Sequence, residues 1–458
     1  MAIATINPTT GEAVKTFEEL SETELRQKIG LAFDRWQTYR TTSFEERAGR
    51  MHATADLFEK EADLSAELMT TEMGKTVASA RAEALKCVHG MRYYADHAAE
   101  FLADEPLADP SQVGAVRALG RYQPLGPVLA VMPWNFPMWQ VMRFAAPALM
   151  AGNVALLKHA SNVPQCALYL QDVFRRGGFP EGCFQTLLIS SRRVESILRD
   201  PRVVAATLTG SEPAGRSVAA ICGDEIKHTV MELGGSDPFI VMPSADLDRC
   251  AATAVEARVQ NNGQSCIAAK RFIVHADVFD AFTDRFVSRM RELTVGDPFE
   301  ESTDVGPVAT EQGRADIEEI VEDAVSAGAT VLCGGRRPDG PGWFYPPTVI
   351  TDITRDMRIY LEEVFGPVAS LYRVADIDQA LEIANATTFG LGSNAWTDDE
   401  VEQERFISDL DAGQVFINGK TTSYPQLPFG GTKRSGYGRE LAAHGIREFC
   451  NLKTVWVG

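Results

Sequence analysis

Val230-Met231-Glu232-Leu233-Gly234-Gly235-Ser236 opens a segment that closes with Asn261-Asn262-Gly263-Gln264-Ser265-Cys266. A carboxylate stands at one end and a thiol at the other. Between them, Phe239 to Met242 reads as a short apolar strand. Pro243-Ser244-Ala245-Asp246 reads as a turn and helix start, and Leu247 to Val259 as a helix with small and apolar residues at helical spacing. A strand, turn and helix in this order can fold back and bring both ends into one cleft. A thiol becomes a good nucleophile on ionisation, and a carboxylate can activate a thiol or a water. Alone, the pair is unspecific: most cysteines are inert packing, and a Glu before two glycines is an ordinary surface turn.

Two further motifs sharpen the reading. They are Pro133-Trp134-Asn135-Phe136-Pro137 and Glu363-Val364-Phe365-Gly366-Pro367. With Glu232-Leu233-Gly234-Gly235 and Gly263-Gln264-Ser265-Cys266, they resemble the aldehyde dehydrogenase superfamily. The resemblance runs from Asn7-Pro8-Thr9-Thr10-Gly11-Glu12 to Lys433-Arg434-Ser435-Gly436-Tyr437-Gly438-Arg439-Glu440, with the motifs in order. Within the superfamily, Leu157-Lys158-His159-Ala160-Ser161 and Gly234-Gly235-Ser236-Asp237-Pro238-Phe239 are most similar to the succinate-semialdehyde dehydrogenases.

The chain has 458 residues, too many for one ordinary core. The net charge of −19 argues against a nucleic-acid or anionic-membrane surface, so no such partner is expected. No basic region followed by an apolar core stands at the start, and no apolar run spans a bilayer; Phe144 to Leu157 is broken by Pro147, Gly152 and Asn153. The eight cysteines are scattered without a C-x-x-C pair, which suits reduced thiols in a cytoplasm. The seven histidines are scattered as well, so no metal site is expected.

The N-terminal third reads as mostly helical. Ser21-Glu22-Thr23-Glu24 and Ser43-Phe44-Glu45-Glu46 are capping boxes, and helices are expected over Phe44 to Lys60, Glu61 to Met73 and Ala78 to Phe101. From Gly126, strands and helices alternate in the rhythm of a parallel sheet with crossover helices. Strands are expected at Val128 to Met132, Val154 to Lys158, Phe184 to Ile189 and Val203 to Leu208, with helices from about Met138 and over Pro164 to Arg176. A second α/β run begins at Gly235, with strands expected at Phe272 to Val274, Thr330 to Cys333, Val368 to Val374, Gln414 to Ile417 and Lys453 to Val457. The resemblance implies an α/β aldehyde dehydrogenase fold. Residues 1–102 and 124–233 would form a Rossmann-like dinucleotide-binding domain and residues 234–425 an α/β catalytic domain. Residues 103–123 and 426–458 would form a small β oligomerisation element, serving a homodimer or homotetramer.

Oxidising an aldehyde by hydride transfer requires its carbonyl carbon to become tetrahedral first. A thiolate achieves this as a thiohemiacetal; hydride loss to a nicotinamide leaves a thioester, which a base-activated water releases. The resemblance implies Cys266 as nucleophile, Glu232 as general base, and the Asn135 amide with the Cys266 backbone N–H as oxyanion donors. For the cofactor, Thr209-Gly210-Ser211 follows a strand and opens a helix, where a dinucleotide turn belongs, although it is not G-x-G-x-x-G. Gly210 and Ser211 would approach the pyrophosphate. Lys158, just after a strand, would bond ribose or phosphate, and the His159 and Ala160 backbone would line the adenosine site. Glu363 would hold the nicotinamide ribose with Phe365 beside the ring, and Pro133, Trp134, Leu233 and Gly234 would line the path.

Cofactor choice rests on Ser161. An acidic residue three positions after the lysine would accept bonds from ribose hydroxyls and repel a 2′-phosphate. Neutral Ser161 can donate to that phosphate, so NADP is expected, with NAD used less well. Substrate choice rests on Arg143. Trp139 and Arg143 are four apart on the helix that begins beside Asn135 and share a face. An Arg in an apolar tunnel is costly without an anion, and a substrate carboxylate would supply one; the rival reading pairs Arg143 with a nearby Asp or Glu. Ser423 adds a hydroxyl by resemblance. A small aldehyde with a distal carboxylate follows, succinic semialdehyde first, then glutaric semialdehyde or an uncharged aliphatic aldehyde. A CoA-acylating enzyme and a non-catalytic protein of the same fold are the alternatives; Glu232 speaks against the first, Cys266 and Asn135 against the second.

Overall fold

The computed structural model describes residues 3–458. Both expected capping boxes form, with Ser21 and Glu24, then Ser43 and Glu46, exchanging side-chain and backbone hydrogen bonds at the starts of helices Glu22–Tyr39 and Phe44–Lys60. Helices Ala62–Met73 and Val77–Phe101 follow as read. One part of the N-terminal reading is corrected. Ile3–Ile6 pairs with Ala13–Phe17 as an antiparallel hairpin. Its second strand is mostly exposed and carries no apolar stripe, so periodicity alone could not reveal it.

Three sheets organise the rest. A six-stranded sheet has the order Gly436–Tyr437, His228–Glu232, Ala205–Thr209, Pro127–Met132, Val154–His159, Phe184–Thr186. All neighbours are parallel except the Gly436–Tyr437 edge. The chain enters at Pro127–Met132, builds outward to one side, then returns to the other. The switch point therefore lies between Pro127–Met132 and Ala205–Thr209, where a crevice opens beyond the carboxyl ends of the strands. The strands are buried runs such as Val154-Ala155-Leu156-Leu157, as a sheet covered on both faces requires.

A seven-stranded sheet has the order Thr330–Cys333, Thr348–Thr351, Val368–Val374, Ala269–His275, Asp237–Val241, Asn394–Trp396, Phe416–Ile417. Its central strands Asp237–Val241 and Ala269–His275 run parallel, joined by helix Leu247–Val259. A third, antiparallel sheet joins Glu105–Pro106, Arg117–Pro124 and Cys450–Val457. Among the described residues no helix is long and apolar enough to cross a membrane.

Candidate active site

Parallel pairing explains why the two ends of the opening segment meet. Asp237 pairs with Ala269, so the residues entering both strands lie side by side. Gly235 and Cys266 are those residues. A Cβ on Gly235 would come within 2.7 Å of the Cys266 carbonyl oxygen, so only glycine fits there. Glu232 ends a strand of the other sheet. The site therefore sits where the carboxyl edge of one sheet meets the amino edge of the other.

The turn that presents Cys266 is sharply bent. Asn261 and Asn262 are left-handed, with φ of 56° and 57°, and Gly263 follows at 75°. Asn tolerates this conformation because its amide can satisfy nearby backbone. Asn261 Nδ2 donates to the carbonyls of Asn135 at 2.7 Å and Gln264 at 3.0 Å. Asn262 Nδ2 donates to Gly74 and Pro307 carbonyls. Arg258 Nη2 grips the Gly263 carbonyl from beneath at 2.6 Å. Gly263 also packs on Gly366-Pro367, which joins this turn to the Glu363 motif. Asn135 Nδ2 donates to the Gln264 carbonyl at 3.1 Å, which aims the amide at the turn carrying Cys266.

Burial pushes the Cys266 thiol up to about 12, while the charges of Arg143 and Lys270 pull it down. Glu232 is 2 % exposed, and among the described residues neither carboxyl oxygen has a hydrogen-bond partner. Burial holds it well above the carboxylate range, with Glu440 adding to the effect and Arg143 and Arg439 opposing it. Burial thus favours the neutral form of both nucleophile and base, and both feel the Arg143 guanidinium.

A cleft of about 830 Å³ opens at the switch point. Trp134, Lys158, Ala160, Ser161, Ser211, Glu363 and Phe365 line it, seven residues drawn from four separate motifs. The Trp134 and Phe365 rings meet edge to face at 5.7 Å. The cleft fits a dinucleotide on three grounds. Ser211 caps helix Glu212–Asp224 without a side-chain bond, which leaves its N–H groups open for phosphate. Apart from its chain neighbours, a Cβ on Gly210 would meet no described residue nearer than Leu208 at 3.7 Å, so the glycine leaves room for a ligand. Lys158 is 8 % exposed and faces the cleft.

The other expected cofactor residues stand around it. Pro133 precedes Trp134 on the same turn. Leu233 packs on Gly215, and Gly234 abuts the Glu363 carboxylate. The His159 ring turns inward, against the carbonyls of Pro137 at 2.9 Å and Met132 at 3.3 Å. Burial lowers its pKa to about 4, so it stays neutral.

The substrate candidates divide. Trp139 Nε1 donates to Ser423 Oγ at 2.9 Å, so those two meet. Arg143 does not lack an anionic partner, and that expectation is corrected. Its Nε lies 2.7 Å from Glu440 Oε2, and its guanidinium stacks over Phe429 at 4.3 Å. Glu440 arrives from the C-terminal segment beside strand His228–Glu232, a contact that helical spacing cannot foresee.

Three contributors escaped the sequence reading. Lys270 Nζ donates to the Ser265 and Cys266 carbonyls at 2.9 and 2.7 Å and pairs with Glu363 at 3.1 Å. Its signal is a lysine inside the apolar run Ile267-Ala268-Ala269-Lys270-Arg271-Phe272. Glu83, paired with buried Lys75, accepts from the backbone N–H groups of Met138 and Trp139 at 2.9 Å each, and so caps helix Trp139–Ala151 beside Asn135. Lys86 donates to Ser423 Oγ at 2.8 Å. These last residues sit on a helix that reads from sequence as scaffold.

The chain belongs to the aldehyde dehydrogenase family, whose family model matches residues 1–455. It is 71% identical over 457 residues to succinate-semialdehyde dehydrogenase [NADP(+)] 1 of Mycobacterium tuberculosis, covering all of both chains. It is 72% identical over 459 residues to the protein of that name from Mycobacterium ulcerans, again at full coverage of both. Among solved structures, it superposes on succinic semialdehyde dehydrogenase from Streptococcus pyogenes, in complex with NADP+, with a TM-score of 0.97 at 36% identity; all of each chain is covered.

Proposed function

We propose that the protein oxidises succinic semialdehyde to succinate with NADP+. The observation that carries the chemistry is the convergence of Asn135 and the Cys266 turn on one carbonyl, that of Gln264, beside the dinucleotide cleft. The Cys266 thiol gives its proton to solvent water, and the thiolate adds to the aldehyde carbon, whose C=O electron pair moves onto the oxygen. The oxyanion bonds to the Asn135 amide and the Cys266 backbone N–H. A nicotinamide held between Glu363 and Phe365 would supply the hydride acceptor. Cys266 then holds an acyl thioester. Ionised Glu232 takes a proton from water, the water oxygen attacks the thioester carbon, the C–S bond breaks, and Glu232 returns the proton to the departing sulfur, giving the acid and the thiol. The full-length relatives of the same name support the substrate and cofactor. Lys158 supplies charge and Ser161 a hydroxyl for the 2′-phosphate, both on the cleft.

The same reading places action in the cytoplasm. It makes the sheet of Arg117–Pro124 and Cys450–Val457 a contact between subunits. There Leu452 and Trp456 are half exposed, a cost that self-association would remove.

The test is an aldehyde panel against both nicotinamide cofactors. Succinic semialdehyde with NADP+ should give the highest kcat/KM. Cys266→Ala should abolish turnover while cofactor binding survives. Glu232→Gln should give one burst of reduced cofactor without turnover. Full steady-state activity in Cys266→Ala would sink the mechanism, and a better rate with butanal would sink the substrate.

A further inference from the structure

We propose that the buried pair Lys75 and Glu83 is a positioning device, which holds the Asn135 amide in register with the Cys266 turn; this rests on the reading of Asn135 as an oxyanion donor. Helix Trp139–Ala151 starts behind Met138 with no side-chain cap of its own. Glu83, on helix Val77–Phe101, supplies the cap from outside: its Oε1 accepts from the N–H groups of Met138 and Trp139 at 2.9 Å each. Where that helix begins, and with it Asn135 three residues before Met138, therefore depends on where Glu83 stands. The other Glu83 oxygen pairs with Lys75 Nζ, which stands 4.3 Å from the centroid of the Phe136 ring. His159 Nε2 lies 2.9 Å from the Pro137 carbonyl. Phe136, Pro137, Met138 and Trp139 follow Asn135 in an unbroken row, and each is gripped from another element.

The same short stretch reaches the nucleophile. Gly74, next to Lys75, accepts from Asn262 Nδ2 at 2.8 Å. Gly74 is left-handed, with φ of 80°, and a Cβ there would come within 2.9 Å of Pro307, so this approach requires glycine. Asn262 Oδ1 accepts from the Gly306 N–H at 2.9 Å, which fixes the amide's orientation. Residues 74–83 thus touch the Cys266 turn through Gly74 and the donor loop through Lys75 and Glu83. The two halves meet where Asn135 Nδ2 and Asn261 Nδ2 share the Gln264 carbonyl, at 3.1 and 3.0 Å.

Stability alone does not account for charges here. The Lys75 and Glu83 side chains are 0 % and 2 % exposed, and among the described residues each is the other's only ion-pair partner. A buried ion pair adds little net stability, because desolvation offsets the attraction, and a well-packed apolar pair would hold the fold as well. What the charges add is a carboxylate with both oxygens engaged, fixed at a helix N-terminus whose dipole favours it. Misplacing a reacting group by about 1 Å costs about 10²-fold in rate, so this fixed geometry bears on catalysis.

The test is a double-mutant cycle on the full chain with succinic semialdehyde and NADP+, reading kcat, KM and NADP+ affinity. Glu83→Asp keeps the charge and retracts the acceptor by one methylene. It should lower kcat about 10–100-fold, with aldehyde KM and NADP+ affinity near wild type. Glu83→Gln keeps an acceptor at the original length and should recover part of that loss. In the Asn135→Ala background, Glu83→Asp should cost almost nothing more, because the group it places is gone. A merely structural role would lower the urea midpoint without this non-additivity. Phe136→Leu removes the ring beside Lys75 and leaves the ion pair intact. It should show the same non-additivity on a smaller scale, so the cycle is decided even where Glu83→Asp does not fold. Losses that multiply with Asn135→Ala, or unchanged kcat in folded Glu83→Asp, would overturn the positioning role alone. Wild-type kcat in Asn135→Ala itself would overturn the oxyanion reading and this proposal with it.

Discussion

Arg143 Nε stands 2.7 Å from Glu440 Oε2 in the protein interior, with the Arg143 side chain 2 % exposed. The pair lies next to Glu232, whose carboxyl feels both charges. Removing one member of a buried pair leaves the other uncompensated, at about 3–5 kcal/mol. Arg143→Met should therefore lower the urea midpoint of unfolding by an amount of that order. It should also reduce kcat/KM for succinic semialdehyde and butanal by similar factors. A loss confined to succinic semialdehyde, at unchanged stability, would return Arg143 to the substrate.

The pair also sets a pH dependence. Arg143 favours ionised Glu232 and Glu440 opposes it. Glu440→Gln removes a negative neighbour and frees the Arg143 charge, so the Glu232 carboxyl should ionise at lower pH. The acid limb of kcat, read under conditions where thioester hydrolysis limits turnover, should then move to lower pH. Movement to higher pH would contradict this arrangement of charges.

The Cys266 thiol is held up to about 12 by its buried setting. In the ligand-free enzyme, its alkylation by iodoacetamide should quicken about tenfold per pH unit up to pH 9 without a plateau, since thiolate is the reactive form. Lys270→Met removes a cation that lowers this pKa and should slow alkylation further at each pH. A plateau near neutral pH would mean that the thiolate already exists without ligand.

Asn135 is the expected oxyanion donor, and its amide already points at the Gln264 carbonyl. Asn135→Ala should lower kcat about 10²–10³-fold, the usual loss for one preorganised donor. A change in KM alone would make it a positioning group.

Ser161 lines the dinucleotide cleft with Lys158. Ser161→Glu places a carboxylate where a 2′-phosphate would lie and should shift preference towards NAD+, read as the ratio of kcat/KM for the two cofactors. Tighter binding of NAD+ than of NADP+ by the wild type would show that Ser161 does not discriminate.

Local chemistry is what made much of this chain legible. Ser21 and Glu24 announce a helix start because both halves of a capping box lie within one turn. Val154 to Lys158 announces a buried parallel strand because both faces must be apolar. The roles expected of Cys266, Glu232, Asn135 and Glu363 came instead from the resemblance of their motifs taken together, since each motif alone is unspecific. Partner choice between distant segments is different. Helical spacing placed Trp139 and Arg143 on one face, and spacing says nothing about which carboxylate arrives there. Glu440 comes to Arg143 because the strand Gly436–Tyr437 pairs with His228–Glu232. Lys86 comes to the Trp139 ring because helix Val77–Phe101 packs across helix Trp139–Ala151. Those contacts follow from sheet order and helix packing. They decide which carboxylate answers a buried cation such as Arg143.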